Sequence, residues 1–173
     1  MVSYKLSVYF SNNKIFEAQN TAMQTSTSSD SSIRYAALGL GFLFLLLGLA
    51  GFMPAFLTPS ENLTSEPGFG YIFGVFPTNY FHNAIGILVG VWGIAAFTSL
   101  SGAIVFNRIF ALLYAAGAIL GLLPFANTLF GLTPLFGNNI WLNALTAAFA
   151  FYYGFVKSAE ISMQSSSSAQ ASV

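Results

Sequence analysis

Residues 34–53 read RYAALGLGFLFLLLGLAGFM, one arginine followed by an apolar run without a further charge that stops at Pro54. Crossing a hydrocarbon core of about 30 Å takes about 20 residues at a rise of about 1.5 Å each, and this run is long enough. Its apolar residues are continuous rather than alternating at every second position, which predicts a helix and not a barrel strand. Three further segments have the same character: about 80–97 (YFHNAIGILVGVWGIAAF), about 103–123 (AIVFNRIFALLYAAGAILGLL) and about 139–156 (NIWLNALTAAFAFYYGFV). The expected fold is therefore an all-α integral membrane protein with four transmembrane helices over residues 33–157.

Composition agrees. Of the 173 residues, 55% are hydrophobic and only 6% are charged, against roughly 25% charged in an ordinary soluble domain. Five Lys and Arg balance five Asp and Glu, so the basic surplus that nucleic-acid binding requires is missing and no nucleic-acid partner is expected. The absence of cysteine excludes disulfides, thiolate nucleophiles and cysteine-ligated metal clusters. Prolines punctuate the segment ends: Pro54, Pro59, Pro67 and Pro77 fall between the first two, and Pro124 and Pro134 between the last two.

The basic residues set an orientation. Lys5, Lys14, Arg34, Arg108 and Lys157 all belong to one side, whereas the opposite loops carry none and the first of them holds Glu61 and Glu66. The positive-inside rule places both termini in the cytoplasm of a multi-pass protein of the bacterial plasma membrane or an internal membrane. Residues 1–32 and 158–173 are rich in Ser, Thr, Asn and Gln and read as disordered cytoplasmic tails. Met23, just upstream of the Ser/Thr run, is a candidate translation start beside Met1, a choice that N-terminal sequencing decides.

The two halves rhyme. A lone arginine, Arg34 or Arg108, precedes each of the runs that end in Ala50-Gly-Phe-Met-Pro54 and Leu120-Gly-Leu-Leu-Pro124. Gly74-Val-Phe-Pro77 and Gly131-Leu-Thr-Pro134 follow, and then the asparagine-bearing starts Asn79-Tyr-Phe-His82-Asn83 and Asn139-Ile-Trp-Leu-Asn143. Such a pattern predicts two parallel two-helix repeats about an axis along the membrane normal. Small residues four apart, Gly86 and Gly90 in the second helix and Gly117 and Gly121 in the third, are candidate packing positions. The short turn between those helices makes mutual packing the simplest expectation.

Asn79, His82 and Asn83 share one helical face by their spacing, and Asn139 and Asn143 repeat it. If the halves pack, these five form a polar cluster at the outer membrane face. One reading is ligation of a pigment or haem by the His82 imidazole, or binding of a small polar solute. The plainer one has the asparagines capping helices two and four and His82 hydrogen-bonding across the bundle. Asparagine is a poor metal ligand and the chain has one histidine, so no metal site and no bound cofactor are expected. The acidic residues lie outside the apolar segments, which leaves no carboxylate pair for acid–base work and predicts no enzyme.

Ala50-Gly-Phe-x-Pro54 closing the first helix, Gly74-x-Phe-Pro77-x-Asn79-x-x-His82-Asn83 opening the second, and Trp141-Leu142 near the start of the fourth resemble the bacterial membrane family catalogued as domain of unknown function 4383. The resemblance covers about 34–156. It implies the four-helix topology and names no activity. Members of that family often carry two further histidines, and this chain has Gly86 and Asn143 at the corresponding places.

These readings point to a non-enzymatic membrane component that packs against the lipid bilayer and a membrane-protein partner or itself as a homo-oligomer. A small-solute carrier or pore, and a pigment- or haem-binding protein using His82, are the alternatives.

Overall fold

A computed structural model describes residues 2–60 and 69–171. The chain is mostly helical: α1 spans Val2–Ala50, α2 Tyr80–Ala96, α3 Leu100–Leu122 and α4 Asn138–Phe151, and a π-helical segment, Tyr152–Lys157, leads into α5, Ser158–Ala171. Thr27–Ala50 and Leu100–Leu122 are long and apolar enough to cross a membrane by length and composition, and Tyr80–Ala96 is a shorter apolar helix.

Two expectations need correcting here. Residues 2–33 and Ser158–Ala171 are helical rather than disordered tails. Their hydroxyls turn back onto their own helix: Thr27 Oγ1 donates to Met23 O at 3.0 Å and Ser166 Oγ to Ser162 O at 2.6 Å, so each hydroxyl finds its partner locally. At about 1.5 Å per residue the 49 residues of α1 measure roughly 74 Å, well over twice a bilayer core.

The all-α expectation is also incomplete. Between α1 and α2 the chain forms a three-stranded antiparallel sheet, β1 (Leu57–Pro59), β2 (Gly70–Ile72) and β3 (Phe76–Thr78), in that order. Ile72 pairs with both Leu57 and Phe76. The β2–β3 hairpin turns at Phe73 and Gly74, both at positive φ (53° and 70°), the handedness that matches the twist of the flanking strands. Glu61 and Glu66 lie outside the described residues.

The helices pair antiparallel, α1 with α2 and α3 with α4, and α1 meets α3 at the centre. Phe106 and Phe110 of α3 are fully buried there among Ile33, Ala37, Leu40 and Phe44 of α1 and Ala150 of α4. Phe110 stacks on Tyr114 at 3.9 Å between ring centroids and meets Phe44 edge-on at 5.2 Å, the latter a geometry aromatic quadrupoles favour.

Glycine decides how closely each pair approaches. A Cβ on Gly90 would lie 2.5 Å from Leu45 N, and one on Gly86 3.2 Å from the Gly48 Cα. Gly121 faces Leu135 O and Ile140, and Gly117 faces the Asn143 amide. All four glycines are thus packing positions, but not toward each other. The expected contact between helices two and three through these motifs is replaced by contacts within α1/α2 and within α3/α4 and its preceding loop, because the short α2–α3 turn joins the helices only near Ala96 and Leu100.

Large apolar side chains lie on the surface as well as in the core, and several asparagines lie inside. Leu46, Leu88, Leu112 and Leu145 are 62%, 65%, 62% and 69% exposed, one on each of the four helices, while Asn83, Asn107, Asn139 and Asn143 are buried. A water-soluble bundle distributes these residue types the other way.

Candidate functional site

The N-termini of α2 and α4 meet at one end of the bundle, beneath β3 and the loop at 132–135. Asn79 precedes α2 in extended conformation, and its Oδ1 accepts from His82 N at 2.8 Å, satisfying one of the backbone donors that every helix start leaves free. Its Nδ2 donates to Leu132 O at 2.9 Å, in the loop before α4. Asn79 is thus both the expected cap and a tie between the halves.

His82, one turn into α2, places Nδ1 2.7 Å from Thr133 Oγ1. The imidazole tautomer decides which atom donates. Asn83 is fully buried, and its Oδ1 accepts from the Thr78 hydroxyl of β3. The amide lies over Gly51, where a Cβ would overlap it.

Asn139 does not cap α4. That position belongs to Gly137, at φ 63°, a left-handed conformation glycine adopts without cost. Asn139 Nδ2 instead donates to Pro77 O at 2.7 Å and Pro134 O at 2.8 Å. Prolines 77 and 134 sit in the two matching Gly-x-x-Pro turns, so one amide clasps both. Asn138 Nδ2 adds a 3.1 Å bond to Val75 O.

Asn79, His82, Asn83 and Asn139 lie together at this end of the bundle, while Asn143 sits one turn deeper, buried against Gly117. Between α1, β3, α2 and α4 lies a cavity of about 20 Å³, lined among others by Phe44, Gly48, Pro77, His82, Asn83 and Asn139. That is the space of one water molecule, not of a macrocycle. Among the described residues no group of three or more His, Asp or Glu is placed to hold a metal ion.

Sequence reading missed Thr78 and Thr133, the hydroxyl partners of Asn83 and His82. Neither carries a local signal, since any loop threonine reads the same way. It also missed Asn107, fully buried within α3 with Nδ2 2.8 Å from Ala103 O and 3.3 Å from Ile33 O of α1. A polar residue inside an apolar run was its signal.

The opposite end of the bundle gathers the arginines. Arg34 Nε donates to Phe97 O just past α2 at 2.7 Å, and Arg108 Nε donates to Gly154 O at 2.7 Å. Each guanidinium also covers a ring, Phe97 at 4.9 Å and Phe155 at 5.4 Å. At Phe97 the Arg34 cation complements the partial negative charge of the α2 C-terminal carbonyls. The π-helical turn opens the hydrogen-bond ladder around Gly154, whose carbonyl also accepts from Ser158 Oγ at 2.6 Å.

No curated protein and no solved structure matches the chain. A family profile matches residues 34–156, the span from the Arg34 contact through the asparagine clasp to the π-helical segment, and the chain belongs to that family, described as Domain of unknown function (DUF4383).

Proposed function

We infer that the chain is a non-enzymatic multi-pass membrane protein. Its four apolar helices all cross the bilayer as two parallel two-helix repeats, and both termini are cytoplasmic. It serves as an accessory or assembly component that packs against a membrane partner or a second copy of itself.

The observation that carries this reading is the surface, with exposed leucines on each of α1 to α4 while Asn83, Asn107, Asn139 and Asn143 are buried. Lipid tails solvate leucine as well as a protein core does, so helices in a bilayer associate through small residues and hydrogen bonds instead. The 17 residues of α2 match the lower end of spanning lengths, and α4 together with its π-helical continuation to Lys157 reaches a similar length. The repeat is supported by burial: Ile33, Ala36, Ala37 and Leu40 of α1, and Gly51 just after it, have buried counterparts at the same spacing in Ala103, Phe106, Asn107, Phe110 and Gly121 of α3. Each half also carries one arginine–carbonyl contact. An accessory role is supported by the clasp, whose amides and imidazole are largely spent on tying the halves together.

The chain has no native cysteine, so single cysteines report topology directly. Cysteines at positions 14 and 165 are expected to resist a membrane-impermeant maleimide in intact cells, and cysteines at 58 and 130 to react. Reaction at 14 or 165 overturns the orientation. Gentle detergent purification with mass spectrometry of co-eluting chains tests the role: a stoichiometric partner or a stable homo-oligomer supports it. A solitary protein that carries solute into liposomes, or one with visible absorbance lost in His82→Ala, replaces it with the carrier or pigment-binding reading.

A further inference from the structure

We propose that the cavity at the asparagine end is a built binding site for a single water molecule, which completes the packing of α1, α2, α4 and β3. Asn83 is fully buried, and its Nδ2 has no hydrogen-bond acceptor. The other half of that amide is committed, since Oδ1 takes the Thr78 hydroxyl. An unmatched buried amide donor destabilises the fold, and native structures rarely leave one so. Asn83 lines the cavity of about 20 Å³, which exceeds the roughly 10–15 Å³ that one water needs.

The surroundings select the occupant. A buried amide donor in need of an acceptor disfavours a cation, and the nearest guanidinium groups, Arg34 and Arg108, bind carbonyls at the far end of the bundle, which leaves an anion without a counter-charge. Water accepts from Asn83 Nδ2 and offers its own protons to the remaining polar lining groups, the His82 ring and the Asn139 amide. That gives it the two to four partners a buried water requires. Phe44, Leu47, Ile72, Phe76 and Leu142 close the rest of the wall and slow its exchange. The site does not depend on what the protein does in the membrane.

The test is a structure of the full-length chain in lipid at a resolution that shows ordered waters, with a side-chain NMR readout on ¹⁵N-asparagine protein. One density peak within hydrogen-bond distance of Asn83 Nδ2 is expected. The Asn83 side-chain NH₂ should also give a cross-peak to water whose NOE and ROE signs mark a long-lived molecule. Asn83→Leu, which keeps the volume and removes the donor, should lose the density peak. An empty cavity in a map that resolves waters elsewhere overturns the proposal, as does a peak retained undiminished in Asn83→Leu; a cross-peak without density is relay from the Thr78 hydroxyl and counts against it too.

Discussion

Replacing Gly90 by alanine puts one methyl group into the tightest part of the α1/α2 contact. The new Cβ would stand 2.5, 2.6 and 2.7 Å from the N, Cβ and Cα of Leu45. Ordinary contact begins at about 3.5 Å, so α1 and α2 must separate by roughly 1 Å, and a gap of that size forfeits a quarter to a half of each dispersion contact it opens. The obstructing atoms belong to the backbone and Cβ of a helix and cannot rotate aside. Overpacking of this kind costs about 1–3 kcal/mol, and the upper half of that range is expected because neighbouring close approaches, at Gly41, Gly86 and Gly93, loosen together. The control is Gly39→Ala on α1, where a Cβ meets nothing within 4 Å. Both substitutions gain the same helix propensity, about 1 kcal/mol, so their difference isolates the packing term. Reversible unfolding in mixed micelles, followed by Trp92 fluorescence, should place Gly39→Ala about 2–3 kcal/mol above Gly90→Ala. Equal stabilities would refute the assignment of Gly90 to the α1/α2 seam.

Asn139→Ala removes the donor shared by Pro77 O and Pro134 O, and the buried carbonyls it leaves predict a loss of about 1–3 kcal/mol in the same unfolding assay. Asn138→Ala, which removes one exposed bond to Val75 O, should cost at most about 0.5 kcal/mol. His82 and Thr133 lie 51 positions apart in the chain and 2.7 Å apart in space. A double-mutant cycle of His82→Ala with Thr133→Val should therefore return a coupling of about 0.5–1.5 kcal/mol, and strict additivity would show that the clasp does not form.

Much was legible from the sequence because the signals were local. The apolar segments at about 34–53, 80–97, 103–123 and 139–156 each coincide with helix, since length, continuity and flanking prolines act within one segment. Asn79 was readable as a cap for the same reason, and the motif around Pro77 to Asn83 carried the family.

What tertiary structure decided are the pairings. Gly86, Gly90, Gly117 and Gly121 announce close approach but not to which neighbour, because a missing side chain is complementary to any backbone. Only the folded bundle sends the first two to α1 and the last two to Asn143 and the loop before α4. Asn139 could serve its own helix or a distant carbonyl at equal chemical cost, and the positive φ of Gly137 settles the matter by taking over the cap. His82 and Thr133, 51 positions apart, and Asn139 and Pro77, 62 apart, depend on chain segments far apart in sequence. Their hydrogen bonds follow from the meeting of two helix ends, which no single segment encodes.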